Sequence, residues 1–136
     1  MNASLRRKLE EIERTISKMT SKSQVGVPII VEGRKDEAAL KTLRIPGEII
    51  CLKARKVGFY DFTTGLAHNS EVTVLTDFDR EGARLAAKLT DELTHMKVKV
   101  NLTTWKKLKA LCRPEIRTVE ELASYLERLR RESAEG

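Results

Sequence analysis

With 136 residues, the chain has the length of one domain with one hydrophobic core and is too short for two. Its 26 Lys and Arg outnumber 20 Asp and Glu, leaving a net charge of +6, which favours an anionic partner without saying which one. No stretch approaches the roughly 18 apolar residues that would span a bilayer. Two cysteines, no CxxC and two histidines exclude a zinc set and suit a reducing cytoplasm.

Leu5, Leu9, Ile12, Ile16 and Met19 recur at spacings of four and three. That stripe predicts an amphipathic helix from Ser4 to about Met19, packed on the body of the domain in preference to forming a coiled coil. Thr20 to Gly26 reads as a polar connection. A buried strand follows over Val27 to Val31, with Pro28 at its start, where a missing N–H is tolerated, and it runs into Glu32-Gly33. A helix through Ala38, Ala39, Leu40 and Leu43 is stopped by Pro46-Gly47. Glu48 to Leu52 is the next strand, and a basic loop, Lys53-Ala54-Arg55-Lys56-Val57-Gly58, leaves its carboxyl end. Phe59 to Leu66 predicts a short helix with Phe59 and Phe62 inward.

Val72, Val74 and Leu75 form the central strand, which leads into Thr76-Asp77-Phe78-Asp79-Arg80-Glu81-Gly82. The helix after it, Arg80 to His95, turns Leu85, Ala86, Leu89 and Leu93 inward. Val98, Val100 and Leu102 alternate as a fourth strand. Trp105 to Cys112 reads as helix, ended by Arg113-Pro114. Thr118-Val119-Glu120-Glu121 fits a capping box that opens a last helix on Leu122, Tyr125, Leu126 and Leu129, frayed from Arg128 to Gly136. Strands alternating with helices predict an α/β fold, a mostly parallel four-stranded sheet flanked by helices, with extra N- and C-terminal helices.

If the first and third strands are neighbours, Glu32 and the Asp77/Asp79 pair converge from two strand ends on one crevice, at the sheet edge where α/β folds bind ligands. Three like charges held together call for a cation. Oxygen donors select a hard divalent ion, magnesium best and manganese next. Asp79 also has the simpler role of a helix cap open to it. Gly33 and Gly82 remove bulk where a backbone approaches a phosphate, the basic loop with Lys53, Arg55 and Lys56 leaves its strand at the edge where the acids gather, and Arg80 directly follows Asp79. The basic loop reads equally as solvated surface.

On these residues the chain resembles the Toprim family, the catalytic domain shared by type IA and type II topoisomerases, bacterial-type primases, overcoming-lysogeny-defect nucleases and ribosomal-RNA-maturing ribonucleases. Ile29-Ile30-Val31-Glu32-Gly33 matches the family's strand followed by Glu-Gly. Thr76-Asp77-Phe78-Asp79-Arg80-Glu81-Gly82 matches its Asp-x-Asp motif in the topoisomerase form, with Phe78 where that form has Pro. The resemblance covers about Val27 to Leu102 and implies a Rossmann-like Toprim fold. It also implies Glu32 as general acid/base or metal ligand, Asp77 and Asp79 as magnesium ligands, and Glu81 as an outer acidic group. On this division residues 1–24 are an amphipathic helix, 25–104 the Toprim core and 105–136 a helical extension packed on it, one globular domain together. The chain has no room for a topoisomerase's strand-passage domains, and neither Tyr60 nor Tyr125 lies in the context of a DNA-linking nucleophile, so it is similar to the single-domain small Toprim proteins. Haloacid-dehalogenase phosphatases and response-regulator receivers, the other Asp-rich α/β folds, place acidic pairs after the first strand, where this chain has only Glu32.

Two functions follow as expectations. One is magnesium-dependent phosphoryl transfer or phosphodiester hydrolysis on nucleic acid, nuclease-like, with RNA processing favoured. The other is a metal-binding adaptor that holds nucleic acid without cutting it. The expected partners are nucleic acid, RNA ahead of DNA, and a second copy of the chain or a larger RNA-processing assembly, with no membrane. Residues 97 to 117 carry seven basic side chains and one acidic, a surface either function would use. Trp105 within it reads as core before it reads as a base-stacking platform.

Overall fold

In the computed structural model, which describes residues 3–135, four short strands make one all-parallel sheet. They are β1 (Ile29–Val31), β2 (Ile49–Cys51), β3 (Glu71–Val74) and β4 (Lys99–Asn101), in the order β2-β1-β3-β4. Ile30 stands between Ile50 on one side and Val74 on the other. Every residue of β1 is buried, because helices cover both faces, and a parallel strand buried on both faces is apolar throughout. The expected α/β class, the parallel sheet and the pairing of the first strand with the third are all present.

The helices are α1 (Ala3–Gln24), α2 (Arg34–Thr42), α3 (Phe59–Thr64), α4 (Arg80–His95), α5 (Thr103–Cys112) and α6 (Leu122–Glu135). One group packs together through α1 on α5 and α6 and through α2 on α6, and a second through α3 on α4. The predicted stripes are the buried ones: Leu9, Ile12, Ile16 and Met19 of α1, and Leu122, Tyr125, Leu126 and Leu129 of α6. Each such large side chain contributes about 1.5–3 kcal/mol on burial.

Two helix ends depart from the expectation. The predicted polar connection after Met19 is helical as far as Gln24. Thr20 and Ser21 turn their hydroxyls back to the carbonyls of Ile16 and Ser17, so their polarity is satisfied inside the helix, and Ser23, buried, donates to Pro46 O. The chain leaves α1 at Gly26, whose φ of +99° suits glycine. The predicted fraying from Arg128 onward is likewise replaced by helix to Glu135. Arg130 reaches Glu13 of α1 at 2.9 Å and Ser133 is buried. Thr118 does cap this last helical stretch with Glu121, but its first turn is a 3-10 turn, Val119–Glu121. The expected segment limits at residues 1 and 136 lie outside the described residues.

Candidate functional site

The chain leaves β1 toward β2 on one side of the sheet and leaves β3 toward β4 on the other. That reversal of winding opens a crevice between the carboxyl ends of β1 and β3. Glu32 follows β1 directly and Asp77 follows β3 by three residues. The two are joined: the Asp77 N–H donates to Glu32 Oε2 at 2.8 Å. The other oxygen of Glu32 faces Lys53 Nζ at 3.4 Å, and the Lys53 N–H donates to the Glu32 carbonyl at 2.8 Å.

Asp77 is held from the C-terminal side as well. Its Oδ1 accepts the Val119 N–H at 2.9 Å, and its carbonyl accepts the Trp105 indole N–H at 3.2 Å. Next to it, Phe78 is fully buried and its N–H donates to Arg117 O at 2.8 Å. Asp79 is the N-cap of α4, its Oδ1 accepting from the Gly82 N–H at 2.7 Å. The Asp77-to-Gly82 loop is closed by Thr76, whose buried hydroxyl donates to Gly82 O at 2.7 Å.

Burial pushes the Asp77 carboxyl up to about 7, and the charges of Asp36, Glu32 and Asp79 push the same way, against the Val119 hydrogen bond. Asp36 is a fourth member of the acidic group. It is buried, its Oδ2 accepts the Gly33 N–H at 3.0 Å, and burial with the nearby charge of Glu32 raises its pKa. Such crowding of carboxyls marks a place where a cation or a proton is needed.

Asp77 and Asp79 each give one oxygen to a backbone N–H, and among the described residues no further hydrogen bond holds the second. All side-chain oxygens and nitrogens buried from solvent have partners among the described residues, so those second oxygens are accessible from the crevice. Oxygen donors from two carboxylates fit a hard divalent ion that keeps water in its remaining positions. Both oxygens of Glu32 face protein donors. Among the described residues, no three His, Cys, Asp or Glu side chains are arranged as a ligand set. Asp77 and Asp79 are the carboxylates that keep an oxygen for an ion, with Glu32 beside them.

The other candidate residues divide. Lys53 belongs to the acidic site through Glu32. Arg55 and Lys56 instead line a cavity of about 390 Å³ with Glu48, Asp61 and His68. Arg80 faces another, of about 520 Å³, with Asp79, Lys109, Arg113 and Arg117. Glu81 is exposed and pairs with Arg84 at 2.6 Å. A Cβ on Gly33 would meet nothing nearer than Asp36 Oδ2 at 3.9 Å, whereas one on Gly82 would lie 1.9 Å from Asp77 O, so the smallness of Gly82 answers to the seating of α4 on the loop. Trp105 is buried, and the thiols of Cys51 and Cys112, free and buried, are raised by burial to about 11 and about 12, which leaves both inert as nucleophiles.

Sequence reasoning missed Asp36, Val119 and the Lys109/Arg113/Arg117 group as site residues. The Glu-Gly-x-x-Asp spacing of Glu32 to Asp36 was a usable signal for the first. Val119 acts through its backbone N–H, which no side-chain pattern announces.

No protein-family model matches the chain. A UPF0292 protein of Methanosarcina acetivorans is 35% identical over 92% of this chain and 86% of its own. One of Methanosarcina barkeri is 36% identical over 92% and 87%, and one of Thermoplasma volcanium 41% identical over 75% and 84%. Among solved structures, a putative protein from Aquifex aeolicus superposes with a TM-score of 0.67 at 25% identity, covering 80% of this chain and 95% of that one. Among the described residues no helix is long and apolar enough to cross a membrane. Identity above 30% along nearly the whole of both chains is the relation of family members, and the chain belongs to the UPF0292 family.

Proposed function

We propose that the protein is a small Toprim-type enzyme of the cytoplasm that hydrolyses or transfers phosphodiesters of nucleic acid with the help of magnesium. The observation that carries this reading is the meeting of Glu32 with Asp77 and Asp79 at the winding reversal of the sheet, with the Asp77 carboxyl raised to about 7. Carboxyls gathered from two strand ends at one crevice leave a place for a bound cation. Magnesium held by Asp77 and Asp79 would supply Lewis acidity toward a phosphate oxygen. The chain's own residues do the rest. Lys53 and the Asp77 N–H orient Glu32, the residue that would accept a proton from the reacting hydroxyl or water. The Val119 and Trp105 donors fix the Asp77 loop, so the acidic groups keep their relative positions when substrate arrives.

A second reading has its own observation. Both oxygens of Glu32 are already engaged by protein donors, as they would be in an adaptor that binds metal and nucleic acid and leaves the strand whole. End-labelled RNA and DNA incubated with magnesium, with manganese or with EDTA separates the two. The enzyme reading expects metal-dependent products that vanish in Glu32→Gln and Asp79→Asn. Intact strands that are nonetheless retained by the protein would establish the adaptor, and neither cleavage nor retention would end both.

A further inference from the structure

We infer that the cavity shared by the start of α4 and the end of α5 is the seat of the nucleic-acid backbone, holding consecutive phosphodiesters against Arg80, Lys109, Arg113 and Arg117. This rests on the proposed nucleic-acid reading for its ligand class and not on cleavage. The cavity measures about 520 Å³, and its lining has four cations and one carboxylate, Asp79. Among the described residues none of the four cations has an ion-pair partner, whereas Arg128, Arg130 and Arg131 of α6 each have one. Four cations beside a single carboxylate repel one another, and a polyanion relieves that repulsion while releasing its own counterions.

The cavity is also tied mechanically to the acidic site. Lys109 Nζ lies 4.9 Å from the centre of the Trp105 ring, and the Trp105 N–H is the donor to Asp77 O. The Arg117 carbonyl accepts the Phe78 N–H, between the two aspartates, and Asp79 itself borders the cavity. A strand lying on these cations would therefore bring a neighbouring phosphate to Asp77 and Asp79. More than one phosphate is needed to balance four positive charges beside one carboxylate, which favours a polymer over a single phosphate. Exposed Lys106 and Lys107 on α5 extend the basic surface beyond the cavity mouth. The loop of Arg55 and Lys56 lacks this character, since its cavity holds Glu48 and Asp61 as well.

The test is binding of short labelled oligouridylate and oligothymidylate in EDTA across a salt series, where metal chemistry is silent. The double variant Arg113→Gln, Arg117→Gln should lower the slope of log affinity against log salt by about 1.4, at ~0.7 per phosphate contact on a single strand. Arg113→Lys, Arg117→Lys should restore it, and Arg55→Ala, Lys56→Ala should leave it at the wild-type value. Among the described residues, Arg113 and Arg117 make hydrogen bonds through their backbones and not their side chains, and matched thermal unfolding of the variants checks that charge alone has changed. An unchanged slope in the Gln variant, a lowered slope in the Arg55/Lys56 variant, failure of wild type to bind either strand, or displacement by an equimolar concentration of inorganic phosphate would each overturn the inference. Binding with the expected slopes but no cleavage in magnesium would uphold the seat and sink the enzyme. Cleavage with an unchanged slope in the Gln variant would do the reverse.

Discussion

Asp77 concentrates the electrostatic conflict of the molecule in one carboxyl. Its pKa rises from 3.8 to about 7 on folding, through burial first and then the charges of Asp36, Glu32 and Asp79. The native state thus holds a proton that the unfolded chain has released over the whole interval between those values. For a raised pKa, the linked stability is fully present below the unfolded value and is lost as pH rises through the folded one, about 7 here. Asp77→Asn removes the charge while its side-chain oxygen can still accept the Val119 N–H. In EDTA, the melting temperature of wild type should therefore fall more steeply than that of Asp77→Asn as pH is raised from about 5 to about 8, with the variant the more stable at the upper end. Asp36 is raised as well and its charge acts on Asp77, so the difference reports Asp77 together with its coupling to Asp36. On the proposed magnesium site, the variant should bind magnesium more weakly, and wild-type affinity should drop on acidification because proton and metal would compete for one group. An Asp77→Asn protein that is less stable at every pH would identify the carboxylate as a structural hub.

The first turn of α4 is where sequence and structure speak most nearly the same language. Asp79 as cap and the apolar stripe through Leu85, Leu89 and Leu93 mark this helix in the sequence, and its limits are Arg80 and His95 as expected. The capping and metal-binding readings of Asp79 do not compete, because the cap uses Oδ1 alone. Gly82 shows what the sequence conceals: its place in the motif is legible, but its reason, a Cβ that would stand 1.9 Å from Asp77 O and 2.5 Å from Asp77 C, is tertiary. Gly82→Ala should accordingly cost at least the ~1–3 kcal/mol of an overpacked site, read as a lower urea midpoint, and should weaken magnesium binding by moving Asp77. Wild-type stability in that variant would mean that the helix can slide freely on the loop. Phe78 is similar. It stands where the topoisomerase motif it resembles has Pro, and here the N–H that proline lacks is bonded to Arg117 O while the ring is fully buried. Lys109, Arg113 and Arg117 were visible as part of a basic stretch. Their sharing of a cavity with Arg80 depends on where α5, packed on α1, brings its end relative to the start of α4, which no local pattern encodes.

At the scale of the whole molecule, the helices outside the sheet are part of the site. α1 supports α5 and α6, and α6 with the 3-10 turn packs on α2, so the layer that includes the first and last described helices also holds Val119 and Trp105 against Asp77. The core runs through this contact without a break: Ile12 and Met19 belong to the same buried cluster as Ile30, Val74, Leu108 and Leu126. Residues 25–104 lack the partners for much of that apolar surface, and such a layout predicts one cooperative transition. Trp105 is the single tryptophan and its indole touches the site, so its fluorescence reports the Asp77 loop while far-UV circular dichroism reports all helices. Leu126, 1% exposed on the far helix, provides the perturbation. Leu126→Ala should destabilise by about 2–5 kcal/mol and lower the fluorescence and dichroism midpoints together. If fluorescence kept its wild-type midpoint while dichroism lost helix early, α6 would be a detachable layer, and the donor from Val119 would have to be dispensable to the geometry of Asp77.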